Sequence, residues 1–406
     1  MRDAEAINRL PHGIAPFVSV RFLSFVADQG STFLIPLSVY ALTGSAQLSG
    51  LAFMVQWLPR IILSPLFGTI VDRFPSKPQL MLTDLVRAVV LAVLFIVPET
   101  WSLIAASAVL TLANGYSSIV TEQVVSTAVD DNDVAQAQSQ QQMAFQTALV
   151  LGPALGSWAL GLLSLRSAIL LFAVTFFLCM VLTPMVIHAV GTPERSPEGG
   201  APLQRLKDGA FELFRRRELV LLLAITMLVN LTGGMALATL PVIVVGHLGG
   251  GPAMAGTLAG VAAGLSLATA AAVTWVTRKT PIAHVVIAAP ILMTTAVFLL
   301  CLSHSVFLFG LGYALWSSGM VIFTIWMRTR RLEFIDPARV GRTLGFFVAI
   351  ILGSTPVAGL LLAVLGDRVD SHQLLLFTAV FSALALVPLL VAWKRTRRAT
   401  AMSSEV

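Results

Sequence analysis

Twelve times along the chain, a stretch about as long as a bilayer is thick runs with almost no charged residue. A membrane-crossing helix needs ~20 consecutive apolar residues, since its backbone must satisfy its own hydrogen bonds where water is absent. The runs predict spans at about 14–41, 46–70, 79–98, 102–122, 138–162, 167–190, 219–246, 253–276, 282–302, 305–327, 343–365 and 372–393. Of the 406 residues 57% are hydrophobic and only 11% charged, whereas soluble domains carry roughly a quarter charged residues. The predicted class is an all-α integral membrane protein. Its least apolar span is 138–162, whose start holds Gln138, Gln140, Gln141 and Gln142.

The charges test this map. Of 26 Lys+Arg, the presumed outside loops hold only Arg166 and Arg368, and Arg21, Arg60 and Arg87 fall within spans or near their edges, leaving 21 for the termini and inside loops. That bias follows the positive-inside rule and predicts two cytoplasmic termini in a cell (inner) membrane. It also accounts for the net charge of +6 without a nucleic-acid partner, for which no basic patch interleaved with exposed aromatics is present. Trp101, Trp275 and Trp393 fall at predicted span ends, where indoles favour the headgroup layer. The stretch from Met1 to Pro11 is polar and lacks a signal-peptide core, so the first apolar run is expected to remain as a span.

Catalysis finds no foothold. The two cysteines, Cys179 and Cys301, lie in apolar runs without metal-ligand spacing. No phosphate-binding glycine loop and no nucleophile–histidine–acid arrangement occur, and His188, His284 and His304 lie near membrane edges without a ligand role. The expectation is a monomer that is not an enzyme and has no cofactor or resident metal.

Residues 191–218 divide the spans six and six. The linker is rich in Pro and Gly, then basic; Leu203, Leu206, Ala210, Leu213 and Phe214 recur at helical spacing opposite Arg205, Lys207 and Arg215. This pattern predicts an amphipathic helix on the cytoplasmic membrane surface, the alternative being a solvated basic loop. The predicted organisation is a six-helix bundle over 1–190, the linker 191–218, a second six-helix bundle over 219–393 and a cytoplasmic tail 394–406. At an offset of about 203 residues the halves match: Val71-Asp72-Arg73 with Val276-Thr277-Arg278, Gly152 to Gly156 with Thr355 to Gly359, Asp28 near Asn230. Internal repeats of this kind mark transporter folds.

Two motifs carry a family resemblance. Gly68-Thr69-Ile70-Val71-Asp72-Arg73-Phe74-Pro75-Ser76-Lys77 resembles the Gly-x-x-x-Asp-Arg-x-x-x-Lys/Arg signature between helices two and three of the major facilitator superfamily, with Pro75 where glycine is usual. The resemblance implies that Gly68, Asp72, Arg73 and Lys77 form a charged latch governing conformation, which Asp84 and Arg87, at i, i+3 spacing on span three, can extend. Gly152-Pro153-Ala154-Leu155-Gly156 resembles the Gly-Pro-x-x-Gly element of helix five frequent among exporters of that superfamily, where Gly152, Pro153 and Gly156 would bend the helix and pack it tightly. The run from Phe22 to Ser45 is similar to the branch holding the enterobactin exporter and macrolide-efflux proteins. The implied fold is twelve transmembrane helices in two pseudo-symmetric six-helix bundles.

Ionisable side chains at bilayer depth are functional hypotheses by default. Asp28 in span one and Arg60 in span two each lie ~21 Å along adjacent antiparallel helices, counted from opposite ends at ~1.5 Å per residue. They are expected to meet, protonation of Asp28 freeing Arg60 for an anionic or carbonyl-rich substrate group; a static structural pair is the alternative. Gln29, Gln56, Asn114 and Asn230 lie at similar depth, to line a cavity or to bond helices together, and Glu122 is a secondary proton carrier. The function expected is secondary active, proton-coupled efflux of a small organic molecule, a drug or siderophore-like metabolite, by alternating access. An importer or a metal-ion exporter on the same fold is the alternative.

Overall fold

The computed structural model describes residues 14–71, 73–127, 134–187, 210–280, 282–286, 288–335 and 340–403. Among them there is no strand. The helices are α1 Ile14–Thr43, α2 Ala46–Val71, α3 Ser76–Ile96, α4 Thr100–Thr127, α5 Val134–Leu162, α6 Leu165–Val186, α7 Arg217–Pro241, α8 Pro252–Val276, α9 Ala288–Cys301, α10 Val306–Glu333, α11 Val340–Leu365 and α12 Ser371–Ser403. Ten are long and apolar enough to cross a membrane; α2 and the 14-residue α9 complete the series. A short helix, Ile282–Val285, precedes α9 inside what the sequence reads as one span. Helix α7 is extended by a π-helical turn, Val242–His247. Most of the linker lies outside the described residues, and of its expected amphipathic helix only the part from 210 onward lies within them; residues 210–215 are helical, with Leu213 buried and Phe211 and Phe214 exposed.

Sequence chemistry fixes many of the helix ends. The Ser164 hydroxyl accepts from the Ser167 amide at 3.1 Å and opens α6; Ser305 does the same for α10 through Leu308 at 3.3 Å. Gly44 and Gly249 take φ of +65° and +66°, the left-handed conformation that a side chain resists. They close α1 and the π-extended α7, equivalent points of the predicted repeat.

The chain forms two compact units. The first comprises residues up to 44, 55–199 and 250–261; the second comprises 45–54, 200–249 and 262 onward. Within the first, α1 packs against α4, α5 and α6, and α3 packs against α4 and α6. Within the second, α7 packs against α10, α11 and α12, and α9 packs against α10 and α12. These five packings of the first unit recur six helices later in the second.

Outward faces carry the lipid-compatible surface: Leu82, Val89, Val93 and Ile96 line one side of α3, and Phe377, Phe381 and Leu384 one side of α12. Trp101 and Trp275 are exposed at helix ends, as expected for interfacial indoles. Trp393 corrects that expectation. It is buried, edge-on to Trp326 and Phe334, because α12 runs on to Ser403 and leaves residue 393 inside the packed part of the helix.

Candidate functional site

The first unit is built around charges it does not expose. Arg21, Ser24 and Asp28 recur every three or four residues on α1 and so share a face. Asp84 and Arg87 share a face of α3 by the same rule. Packing of α1 and α3 among α4 and α6 brings the two faces into one buried network. The Arg21 Nη2 donates to Asp84 Oδ2 at 2.5 Å. Arg87 donates through Nη1 to Asp28 Oδ2 at 2.6 Å and through Nη2 to Asp84 Oδ1 at 2.6 Å. Neutral groups take up further valences: the Ser24 hydroxyl donates to Asp84 at 3.3 Å, Arg21 donates to Thr183 of α6, and Arg87 donates to Ser117 of α4 and to the Thr83 carbonyl. The Arg87 guanidinium also lies over the Phe176 ring, 4.5 Å from its centroid.

Two arginines and two aspartates make this network neutral, which is how a low-dielectric interior tolerates four ions. Its members are unequal. Asp84 bridges both arginines, and Arg87 bridges both aspartates, whereas Asp28 has its one ion pair with Arg87. Arg21 leaves Nε and Nη1 buried without a hydrogen bond. Loss of Asp84 would strand Arg21, whose ion pair it is, and leave Arg87 to Asp28; loss of charge on Asp28 would leave both arginines still held by Asp84.

The expected pairing of Asp28 with Arg60 is corrected. Arg87 takes the carboxylate of Asp28, while Arg60 makes no ion pair among the described residues and interacts with Asp28 only through space. The Arg60 stem runs along α4 at Gly115, where an added Cβ would lie 3.1 Å from both Cγ and Nε. Equal depth along two helices fixes height and not direction; the shorter reach to Asp28 belongs to α3.

The remaining residues separate. Gln56 is buried and donates from Nε2 to the Thr32 carbonyl at 2.8 Å, joining α2 to α1. Asn114 is buried on α4 and accepts from Ser118. Gln29 is half-buried against α5, Asn230 is half-buried on α7 in the second unit, and Glu122 is exposed on α4. Asp72 lies outside the described residues; Gly68 is helical, Arg73 exposed and Lys77 half-buried. Beside them Gln79 donates from Nε2 to the carbonyls of Val71, at 3.0 Å, and Phe74, at 2.6 Å, tying down the end of α2, and Tyr116 donates to Gln79 Oε1. Gly152 and Gly156 bring α5 onto α1: an added Cβ would lie 2.8 Å from the Gly30 nitrogen and the Gly30 oxygen respectively.

Sequence reasoning missed Arg21, Ser24, Ser117, Phe176 and Thr183. Arg21 carried a usable signal, since it lies seven residues before Asp28 on one helical face. The others are ordinary membrane-helix residues whose role exists only once the helices pack.

A nucleoside transporter, NupG, shares the fold at a TM-score of 0.73 and 13% identity, over 94% of this chain and 99% of that one. A bacterial homologue of the lysosomal transporter Spinster matches at 0.73 and 10%, over 94% and 96%. A bacterial homologue of the iron transporter ferroportin matches at 0.68 and 14%, over 94% and 98%. No curated protein matches the chain significantly. The family model described as Major Facilitator Superfamily matches residues 17–351. With repeated packing in its two units and that match over most of its length, the chain belongs to the Major Facilitator Superfamily and is a transporter.

Proposed function

We propose that this transporter exports a small organic molecule, a drug or siderophore-like metabolite, in exchange for protons, with Asp28 as the group that carries the proton. The observation behind this reading is the inequality of the buried network. Asp28 is 4% exposed and is the carboxylate whose neutralisation strands no arginine. Protonation there removes one of the two carboxylates held by Arg87 and weakens the joint between α1 and α3. A proton thereby biases helix packing, which is what coupling to alternating access requires. Gln29, Gln56, Asn114, Glu122 and Asn230 are the polar positions proposed to line or flank the path. In this reading the chain works as a monomer in the cell membrane with both termini cytoplasmic, and Asp72 with Gly68, Arg73 and Lys77 forms the conformational latch.

The sign of coupling depends on substrate charge. A cationic or polarisable substrate attracted by ionised Asp28 is displaced when Asp28 takes a proton, which is antiport. An anionic substrate held by Arg60 would bind better once Asp28 is neutral, which is co-transport. The partly buried Arg60, without an ion partner, favours that second reading, proton-driven movement of an anion in the inward direction.

Proteoliposomes with an imposed pH gradient separate the two. Export reading: an amphipathic cation moves against the proton gradient, Asp28→Asn abolishes the gradient dependence, and Arg60→Gln leaves it. Import reading: an organic anion moves with protons, and Arg60→Gln abolishes its movement. Normal pH dependence in both variants would remove Asp28 from the coupling role.

A further inference from the structure

Within the second unit, a histidine at the end of one helix converges with an aspartate and a histidine at the start of another, more than a hundred residues on. His247 is the last residue of the π-helical turn that extends α7; Asp370 and His372 lie at the start of α12. The His247 and His372 Nδ1 atoms are 3.3 Å apart. Asp370 Oδ2 is 3.7 Å from His247 Nδ1, and Asp370 Oδ1 is 3.6 Å from His372 Nδ1. Asp370 Oδ1 already accepts from the His372 amide at 2.8 Å, opening α12, which leaves Oδ2 as the uncommitted atom.

We infer that His247, Asp370 and His372 form a three-residue binding site for a divalent transition metal of zinc type, with water completing the shell.

The donor set decides the class of ion. Imidazole with one carboxylate suits zinc and its neighbours, whereas calcium and magnesium take oxygen shells. Spacing agrees. Two nitrogens each ~2.0–2.1 Å from one zinc at a tetrahedral angle stand ~3.3 Å apart. The carboxylate distances need only a few tenths of an ångström of closure, and the three side chains remain open enough to admit an ion, with 34%, 45% and 19% exposure for His247, Asp370 and His372. A hydrogen bond between the two imidazoles is the competing use of the same geometry. It leaves Asp370 Oδ2 unused and gives no reason for two imidazoles and a carboxylate to gather from two separate helix ends. A bound ion would tie the end of α7 to the start of α12. The inference concerns neither substrate nor direction of transport.

The test uses the full-length protein in detergent, with a purification tag that contains no histidine. Zinc is titrated calorimetrically, and cobalt(II) is added as a spectroscopic reporter of tetrahedral geometry. The expected result is one saturable zinc per chain, tetrahedral cobalt bands competed away by zinc, and a rise in melting temperature that calcium does not reproduce. His247→Gln and His372→Gln should each weaken zinc binding by about 10–100-fold. His284→Gln, an exposed histidine elsewhere on the unit, should change nothing. Absence of saturable binding in the wild type, or undiminished binding in the His247→Gln, His372→Gln double variant with a native elution profile, would overturn the site. Failure here would leave the transport reading untouched, since Asp28 and Arg60 belong to the other unit.

Discussion

Arg87 is the residue through which four helices meet. Its guanidinium is fully buried, bonded to carboxylates of α1 and α3, to a hydroxyl of α4, and stacked on an aromatic ring of α6. Replacing it by an apolar side chain leaves two buried carboxylates and one arginine. Breaking a buried ion pair from one side costs about 3–5 kcal/mol, so Arg87→Met should sharply lower the amount of folded protein extracted in mild detergent. Asp28→Asn keeps shape and leaves Arg87 on Asp84, so its abundance should stay near wild type. Equal abundance for both variants would mean that the network stabilises little. The sequence announces Asp28, Asp84 and Arg87 because charge is expensive at bilayer depth. It conceals their pairing, because a count of residues places a charge along a helix and says little about which neighbour it faces.

At the scale of the element, glycines set how close helices come. Gly156 of α5 lies so near α1 that an added Cβ would approach the Gly30 carbonyl oxygen to 2.8 Å, and that backbone cannot retreat as a flexible side chain can. Gly156→Leu should separate α5 from α1 and destabilise by more than the ~1–3 kcal/mol typical of overpacking, read as lost folded protein by fluorescence-detected size exclusion. In α11, Gly353 has nothing within 4 Å of an added Cβ, so Gly353→Ala should be neutral or slightly stabilising, up to ~1 kcal/mol. A tolerated Gly156→Leu would refute close approach as the function of the motif. The Gly-Pro-x-x-Gly element was readable as a tight-packing device, whereas its partner Gly30 was not, since a single glycine in an apolar helix has no pattern. The α2–α3 connection makes a separate prediction. With Gln79 fixing the end of α2, Asp72→Asn should leave abundance normal but reduce transport, by about 5–150-fold if the latch contributes a typical coupling energy. Unchanged transport would remove Asp72 from conformational control.

For the whole molecule, the repeat organises what the residues do separately. Contacts of α1 with α4, α5 and α6 return as contacts of α7 with α10, α11 and α12, and the two left-handed glycines close corresponding helices. This symmetry was legible in three weak motif matches at a common offset, because duplication preserves helix order better than it preserves side chains. Among the described residues the charged network is not duplicated: where α1 carries Asp28, α7 carries Asn230, so the buried ion pairs between helices are concentrated in the first unit. The zinc-type cluster could not be read from sequence at all, since His247 and His372 are separated by 125 positions and meet only through the packing of α12 on α7. Orientation in the membrane follows from charge instead of packing. Thr43 and Gly250 end the odd-numbered helices α1 and α7 in the predicted repeat, while Val406 follows twelve crossings and should return to the side of the N-terminus. With 21 of 26 basic residues on the presumed inner side, inward retention of those segments is the arrangement that the positive-inside rule favours. Reporter fusions should therefore give an outside signal at Thr43 and Gly250 and a cytoplasmic one at Val406. A cytoplasmic signal at Gly250 or an outside one at Val406 would mean that the crossings between the N-terminus and that point are miscounted by an odd number, and with them the side on which the loops of the transporter lie.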